Sequence, residues 1–204
     1  MVRLGLWYAF DFLWSIPEFF RWLRNGCTGA APRPVKMMIV RSYLKKYGLR
    51  EFVETGTYLG DTLGHVAKTG VRCSSIELSG DLHRAAIERF KSRNNVHLIC
   101  GDSGQKLPEV IRELSAPACF WLDGHYSAGF TAQSDADTPI SAELAAIIAH
   151  PIKGHVILID DAFLFDGEDD YPPLDQLLGR IREDGNYDAE VSADIIRLTP
   201  RRAR

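Results

Sequence analysis

Glu51-Phe52-Val53-Glu54-Thr55-Gly56-Thr57-Tyr58-Leu59-Gly60-Asp61-Thr62 is the stretch that decides the fold. It reads as a short buried strand that ends in an acidic residue and turns through glycine. A helix then starts at Asp61-Thr62, with Leu63, Val66 and Ala67 on its apolar side. Glycines let a backbone come close to a ligand, and a helix N-terminus offers unpaired N–H groups. The turn is therefore a small-ligand cradle. A dinucleotide site wants G-x-G-x-x-G with the helix dipole facing a pyrophosphate. Here only Gly56 and Gly60 are present, and carboxylates stand at Glu54 and Asp61. Negative charge at both ends of the turn suits an ammonium or sulfonium ligand better than a pyrophosphate.

Outward from that stretch, apolar runs recur at 51–54, 73–78, 95–100, 118–122 and 155–159. Helical patterns lie at about 61–69, 79–92, 104–115, 138–149 and 173–184, and another at 35–47 leads into the core. Continuously apolar strands separated by helices specify a parallel sheet covered on both faces. Asp188–Ser192 and Ile195–Thr199 are β-prone, with Ala193-Asp194 between them, and read as an antiparallel hairpin. The expected fold class is α/β: a Rossmann-like, doubly wound, mostly parallel sheet closed by a C-terminal β-hairpin. The 204 residues fit one such domain, 35–204, preceded by an aromatic-rich helix and linker at 1–34.

Composition narrows the classes. Hydrophobic residues make up 46% and charged residues 25%, which is ordinary globular composition. A formal net charge of −3 gives no electrostatic case for nucleic-acid binding. Cys27, Cys73, Cys100 and Cys119 show no C-x-x-C spacing. Three lie in predicted strands, so buried free thiols in a reducing, cytoplasmic compartment are expected.

Residues 4–24 are dense in aromatics, but Asp11, Pro17 and Glu18 interrupt the run, so it is too short to span a bilayer. With one basic residue ahead of it and no prompt small-residue cleavage site, it does not read as a secretory signal. Two readings stay open. The segment packs on the domain or on a second subunit as a homodimer contact, or it inserts Trp7, Phe10, Trp14, Phe19, Phe20 and Trp22 at a membrane surface.

Ligands of open α/β sheets bind outside the carboxyl ends of the strands. The first predicted strand ends at Glu54-Thr55-Gly56, the second at Glu77-Leu78 and the third at Gly101-Asp102-Ser103. The fourth ends at Asp123-Gly124-His125 and the fifth at Asp160-Asp161. Any one such acid is commonly a helix cap or turn residue. Five at one edge, with a doublet and a histidine, point to a site. Glu77 follows Glu54 by 23 residues, a spacing that suits an acid receiving two ribose hydroxyls.

The set resembles the class I S-adenosylmethionine-dependent methyltransferases over about residues 50–200. The resemblance implies that Glu54, Thr55, Gly56, Thr57, Tyr58, Gly60 and Thr62 hold the methionine part of S-adenosyl-L-methionine. It implies a ribose role for Glu77 with Leu78, an adenine role for Asp102 with Ser103, and a cofactor contact from Asp123. Thr57-Tyr58 stands where the family often has a second glycine. Asp123 with Asp160 and Asp161 is similar to the metal site of cation-dependent O-methyltransferases, the catechol type and the macrolide- and sugar-modifying type. That implies Mg²⁺, which hard oxygen ligands suit. In the sugar-modifying type a base lies two residues after the fourth-strand aspartate, and His125 takes that position in place of an expected aspartate. His125 and Asp123 are thus the implied catalytic pair.

The plainer alternatives are a loop His125 that only hydrogen-bonds Asp123, and a doublet made of one inward ligand and one helix cap. The acceptor expected is a hydroxyl of a glycan or of a glycosylated or phenolic small molecule. Segments 126–138 and 167–173 are expected to flank it. Competing functions are a metal-independent methyltransferase with His125 as base, and a non-catalytic docking protein that keeps the cofactor fold. A nicotinamide oxidoreductase is disfavoured by the missing glycine pattern.

Overall fold

The structure is a computed structural model that describes residues 17–123 and 138–201. His125, most of the 126–138 segment, and Trp7, Phe10 and Trp14 fall outside those residues. Among the described residues seven strands form one sheet in the order β3-β2-β1-β4-β5-β7-β6. They are β1 (Glu51–Thr55), β2 (Arg72–Glu77), β3 (Val96–Cys100), β4 (Ala118–Leu122), β5 (Val156–Ile159), β6 (Tyr187–Ser192) and β7 (Ile195–Pro200). β1 to β5 pair in parallel, and β7 runs antiparallel to both β5 and β6.

Six α-helices cover the sheet: α1 (Arg33–Tyr47), α2 (Asp61–Ala67), α3 (Gly80–Phe90), α4 (Ser103–Arg112), α5 (Ile140–Ala149) and α6 (Leu174–Asp184). Alternation along the strands feeds two cores. Phe52, Cys73, Trp121 and Leu158 meet Val40 and Leu44 of α1, Leu63 and Val66 of α2 and Phe90 of α3. On the other face Val53, Ile76, Phe120 and Ile157 meet Leu107 and Ile111 of α4, Leu144 and Ile147 of α5 and Ile181 of α6. The chain winds outward from β1 to β3 and then crosses to β4 on the other side of β1. The switch point, where such sheets open a crevice, lies between the carboxyl ends of β1 and β4.

The hairpin turns at Ala193 and Asp194, both with positive φ (56° and 62°), and Ser192 pairs with Ile195. Two left-handed residues are what a two-residue turn matched to strand twist requires. This turn also ties two other segments together. Ala31 N–H donates to the Ala193 carbonyl, Ala162 N–H to the Asp194 carbonyl, and Phe163 N–H to Asp194 Oδ1. The start of α1 and the residues after β5 are thereby fixed to one point.

Two details depart from expectation. Cys73 and Cys119 are buried free thiols, but Cys100 is exposed. β3 is an edge strand whose residues are only partly covered, so a thiol there is not sealed into the core. α1 begins at Arg33, two residues earlier than its apolar pattern, because Pro34 sits in its first turn, where a missing N–H costs nothing. Upstream, residues 17–24 are helical, with Phe19, Phe20 and Leu23 exposed. No described helix is long and apolar enough to cross a membrane.

Candidate active site at the carboxyl edge

The turn after β1 is built by backbone conformation. Gly56 and Gly60 adopt φ of 81° and 75°, and Tyr58 joins them at 48°. A Cβ on Gly60 would stand 2.7 Å from Phe90 Cε2, so the turn packs against α3 only with glycine there. Glu77 at the end of β2 clamps the turn from outside. Its Oε2 accepts from Tyr58 N–H at 2.7 Å and its Oε1 from Ser79 N–H at 2.9 Å. Each carboxylate oxygen has a second lone-pair direction left for a ligand hydroxyl.

Neither acid flanking the turn shows the open negative charge that the sequence suggests. Glu54 is 2% exposed, and its Oε2 accepts from Ser75 Oγ at 2.7 Å, which in turn lies 2.6 Å from Thr57 Oγ1. Burial, aided by Asp123, Glu77 and Asp61, pushes its carboxyl up to about 8. Asp61 is ion-paired at 3.0 Å with both Arg33 and Arg89, and Arg89 also donates to the Leu59 carbonyl. Asp102, at the end of β3, caps α4 by accepting from Gly104 N–H at 2.7 Å. Ser103 is the first residue of that helix.

Across the switch point stand the last three acids. Asp123 N–H donates to the Thr55 carbonyl at 3.1 Å, and Asp160 N–H to the Leu122 carbonyl at 3.0 Å. These bonds continue the sheet beyond its strands and set the two side chains level. Asp161 follows in the left-handed region at φ 51° and begins the 3₁₀ turn Ala162–Leu164. A non-glycine residue in that region costs energy, and such residues gather at functional sites. Carboxylate oxygens of Asp123, Asp160 and Asp161 all lie within 4.8 Å of one another. Burial, and then repulsion from Asp123 and Asp161, hold the Asp160 carboxyl well above the usual carboxylate range.

The comparisons with known proteins separate sequence from shape. No protein-family model and no curated protein matches the chain. Solved structures do match. One is an O-methyltransferase from Bacillus cereus in complex with SAH, at TM-score 0.62 and 15% identity over 91% of this chain and 90% of that one. Another is TomG from Streptomyces achromogenes, an O-methyltransferase of tomaymycin synthesis in complex with SAM, at 0.61 and 15% over 98% and 99%. A third is the 23S rRNA methyltransferase ErmE, at 0.53 and 16% over 85% and 70%. This chain has the methyltransferase fold.

Within the methyltransferase fold the structure brings Glu54, Thr55, Glu77 and the glycine turn to one side of the switch point, and Asp123, Asp160 and Asp161 to the other. Two residues beside these acids escape sequence reasoning. Lys36 of α1 places its ammonium 2.7 Å from both oxygens of Asp160, and 3.2 Å from Asp161 Oδ1. Only the bond to Asp160 Oδ2 has hydrogen-bond geometry, so Oδ1 is buried without one. A lysine in the first turn of a helix runs against the helix dipole, and that is the signal that could have found it. Glu143 of α5 is 1% exposed and reads in sequence as part of an apolar helix face. Burial raises its carboxyl to about 7, although Ser103 and Thr55 beside it pull the other way.

Proposed function

We propose that this chain is an S-adenosylmethionine-dependent O-methyltransferase, assisted by Mg²⁺, that methylates a hydroxyl of a glycan or of a glycosylated or phenolic small molecule. The observation that carries this reading is the triad of Asp123, Asp160 and Asp161, set across the switch point from the glycine turn and Glu77. The matching fold of SAM- and SAH-bound O-methyltransferases supports the cofactor. An RNA acceptor, which the name of the 23S rRNA methyltransferase ErmE gives for that protein, is not favoured by this chain's net charge of −3.

The donor set fits a hard divalent cation. It is all carboxylate oxygen, and Asp160 Oδ1, which lacks a hydrogen bond, already takes a positive charge, the Lys36 ammonium at 2.7 Å, as its neighbour. Bound to these three acids, Mg²⁺ would supply Lewis-acid polarisation of the acceptor hydroxyl. The chain's own residues do the rest. Glu77, pre-aligned by two backbone N–H groups, receives the ribose hydroxyls. The turn 56–60 seats the methionine part, and Asp102 with Ser103 borders the adenine. His125, two residues beyond Asp123, takes the acceptor proton. The acceptor oxygen then attacks the methyl carbon in line, an O–C bond forms as the S–C bond breaks, and the sulfonium becomes a neutral thioether. Holding oxygen and methyl in line is a large part of the acceleration.

The test is transfer of a labelled methyl group from S-adenosylmethionine to phenolic and glycosylated acceptors, with Mg²⁺ and with chelator. Chelator-sensitive labelling of an acceptor oxygen supports the whole reading. Labelling indifferent to chelator removes the metal. A second reading, a metal-independent reaction with His125 as base, would then stand, and the contact of Lys36 with Asp160 and Asp161 favours it.

A further inference from the structure

The first turn of α1 holds two cations, Arg33 and Lys36, and no acid. A helix N-terminus disfavours positive charge, so both must be held by partners from elsewhere in the fold. Arg33 has Asp61. The Lys36 side chain is 16% exposed and meets Asp160, itself 5% exposed, and Asp161. Asp123 is the next acid in its field.

We propose that Lys36 is a built-in competitor for the divalent-cation site: its ammonium and a metal ion draw on the same Asp160 and Asp161 oxygens, and Lys36 sets the metal concentration at which the site loads. This rests on the metal reading above. With Nζ 2.7 Å from both Asp160 oxygens, that carboxylate has no oxygen out of reach of the ammonium. Metal–oxygen bonds of about 2.0–2.1 Å on the same carboxylate would bring two positive centres within about 4 Å of each other. At this burial their repulsion is poorly screened by water. One of them must give way.

Lysine can give way without moving the fold. Its four-carbon stem has several rotatable bonds through which the ammonium can be redirected, whereas the start of α1 is fixed by the Ala31–Ala193 bond and the Arg33–Asp61 ion pair. Loading is then a swing of one side chain rather than a movement of the helix. Arginine at this position would not yield in the same way, because its planar fork bonds two carboxylates at once.

The experiment is calorimetric titration of Mn²⁺ and Mg²⁺ into the wild-type protein, Lys36→Met, Lys36→Gln, Lys36→Arg and Asp160→Ala. Melting curves identify the folded variants, and S-adenosylhomocysteine affinity serves as a control. Lys36→Met or Lys36→Gln should bind Mn²⁺ about tenfold more tightly or better. Lys36→Arg should bind it no more tightly than wild type, Asp160→Ala should lose it, and nucleoside affinity should stay constant. Wild-type binding with equal or weaker binding in the folded neutral variants overturns the competitor and leaves the metal reading standing. No metal binding by any protein in the series overturns both.

Discussion

One strand, β5, carries buried titratable groups at both of its ends, and the two ends are built on opposite terms. His155 precedes the strand and Asp160 follows it. At the amino end His155 Nδ1 accepts from Ala118 N–H at 3.0 Å, and its Nε2 lies 3.1 Å from His150 Nδ1. Its ring packs edge-on to Phe120. Both of its nitrogens have partners, as a buried polar group in a stable core should. At the carboxyl end Asp160 faces two further acids as well as the Lys36 ammonium, one of its oxygens lacks a hydrogen bond, and Asp161 is held left-handed. The amino end is arranged for stability, and the carboxyl end keeps strain and repulsion that a ligand would relieve.

The largest expected effect tests the carboxyl end. Asp160→Ala should lower methyl transfer by more than about 100-fold, beyond what partners outside a metal's ligand set usually cost. In the Lys36→Met background, which leaves no ammonium without its partner, the same change should leave the melting temperature unchanged or higher, since it removes repulsion from Asp123 and Asp161. A variant that melts much earlier would make Asp160 a structural residue and dissolve the contrast. The matching change at the amino end is His155→Leu. It leaves Ala118 N–H buried and unpaired, which should cost about 1–3 kcal/mol in urea unfolding. Its activity per folded molecule should stay near wild type.

The pH dependence of stability sharpens the contrast with a smaller effect. Burial, then the neighbouring His150, lower His155 from its ordinary 6.5 to about 4. In that window the unfolded chain takes up a proton that the folded one refuses. The contribution of His155 is therefore complete above 6.5 and lost as pH falls towards 4. Glu143 behaves in reverse, because burial raises it from 4.5 to about 7. The folded chain keeps a proton that the unfolded chain releases, so its contribution is complete below 4.5 and lost as pH rises through 7. Denaturant unfolding from about pH 4 to 9 should show opposite changes of slope between about 4.5 and 7, because His155→Leu removes a contribution that rises with pH and Glu143→Gln removes one that falls with it. The same slope in both variants would contradict the assignment.

Most of the fold was legible because its signals are local. Continuous apolar strands, helical spacing between them and the two-residue Ala193-Asp194 turn each declare themselves within a few residues. The acids at the strand ends were legible for the same reason, since a parallel sheet sends every carboxyl end to one edge. What was hidden is what long-range packing decides. Lys36 meets Asp160 across 124 residues of chain, and an ion pair at that separation leaves no periodicity. Asp61 looked like open charge because Arg33 and Arg89 come from other helices. Glu143 shares its helical spacing with Leu144, Ile147 and Ile148, and only its burial beside Ser103 and Thr55 marks it out.

Everything proposed for this site depends on the cofactor, and calorimetric titration of S-adenosylhomocysteine into wild type and into Glu77→Ala measures it. Wild type should show saturable one-to-one binding, weakened at least about tenfold when the ribose acid is removed. No binding by the folded wild-type protein, with or without Mg²⁺, would contradict this and leave the methyltransferase fold without the methyltransferase cofactor.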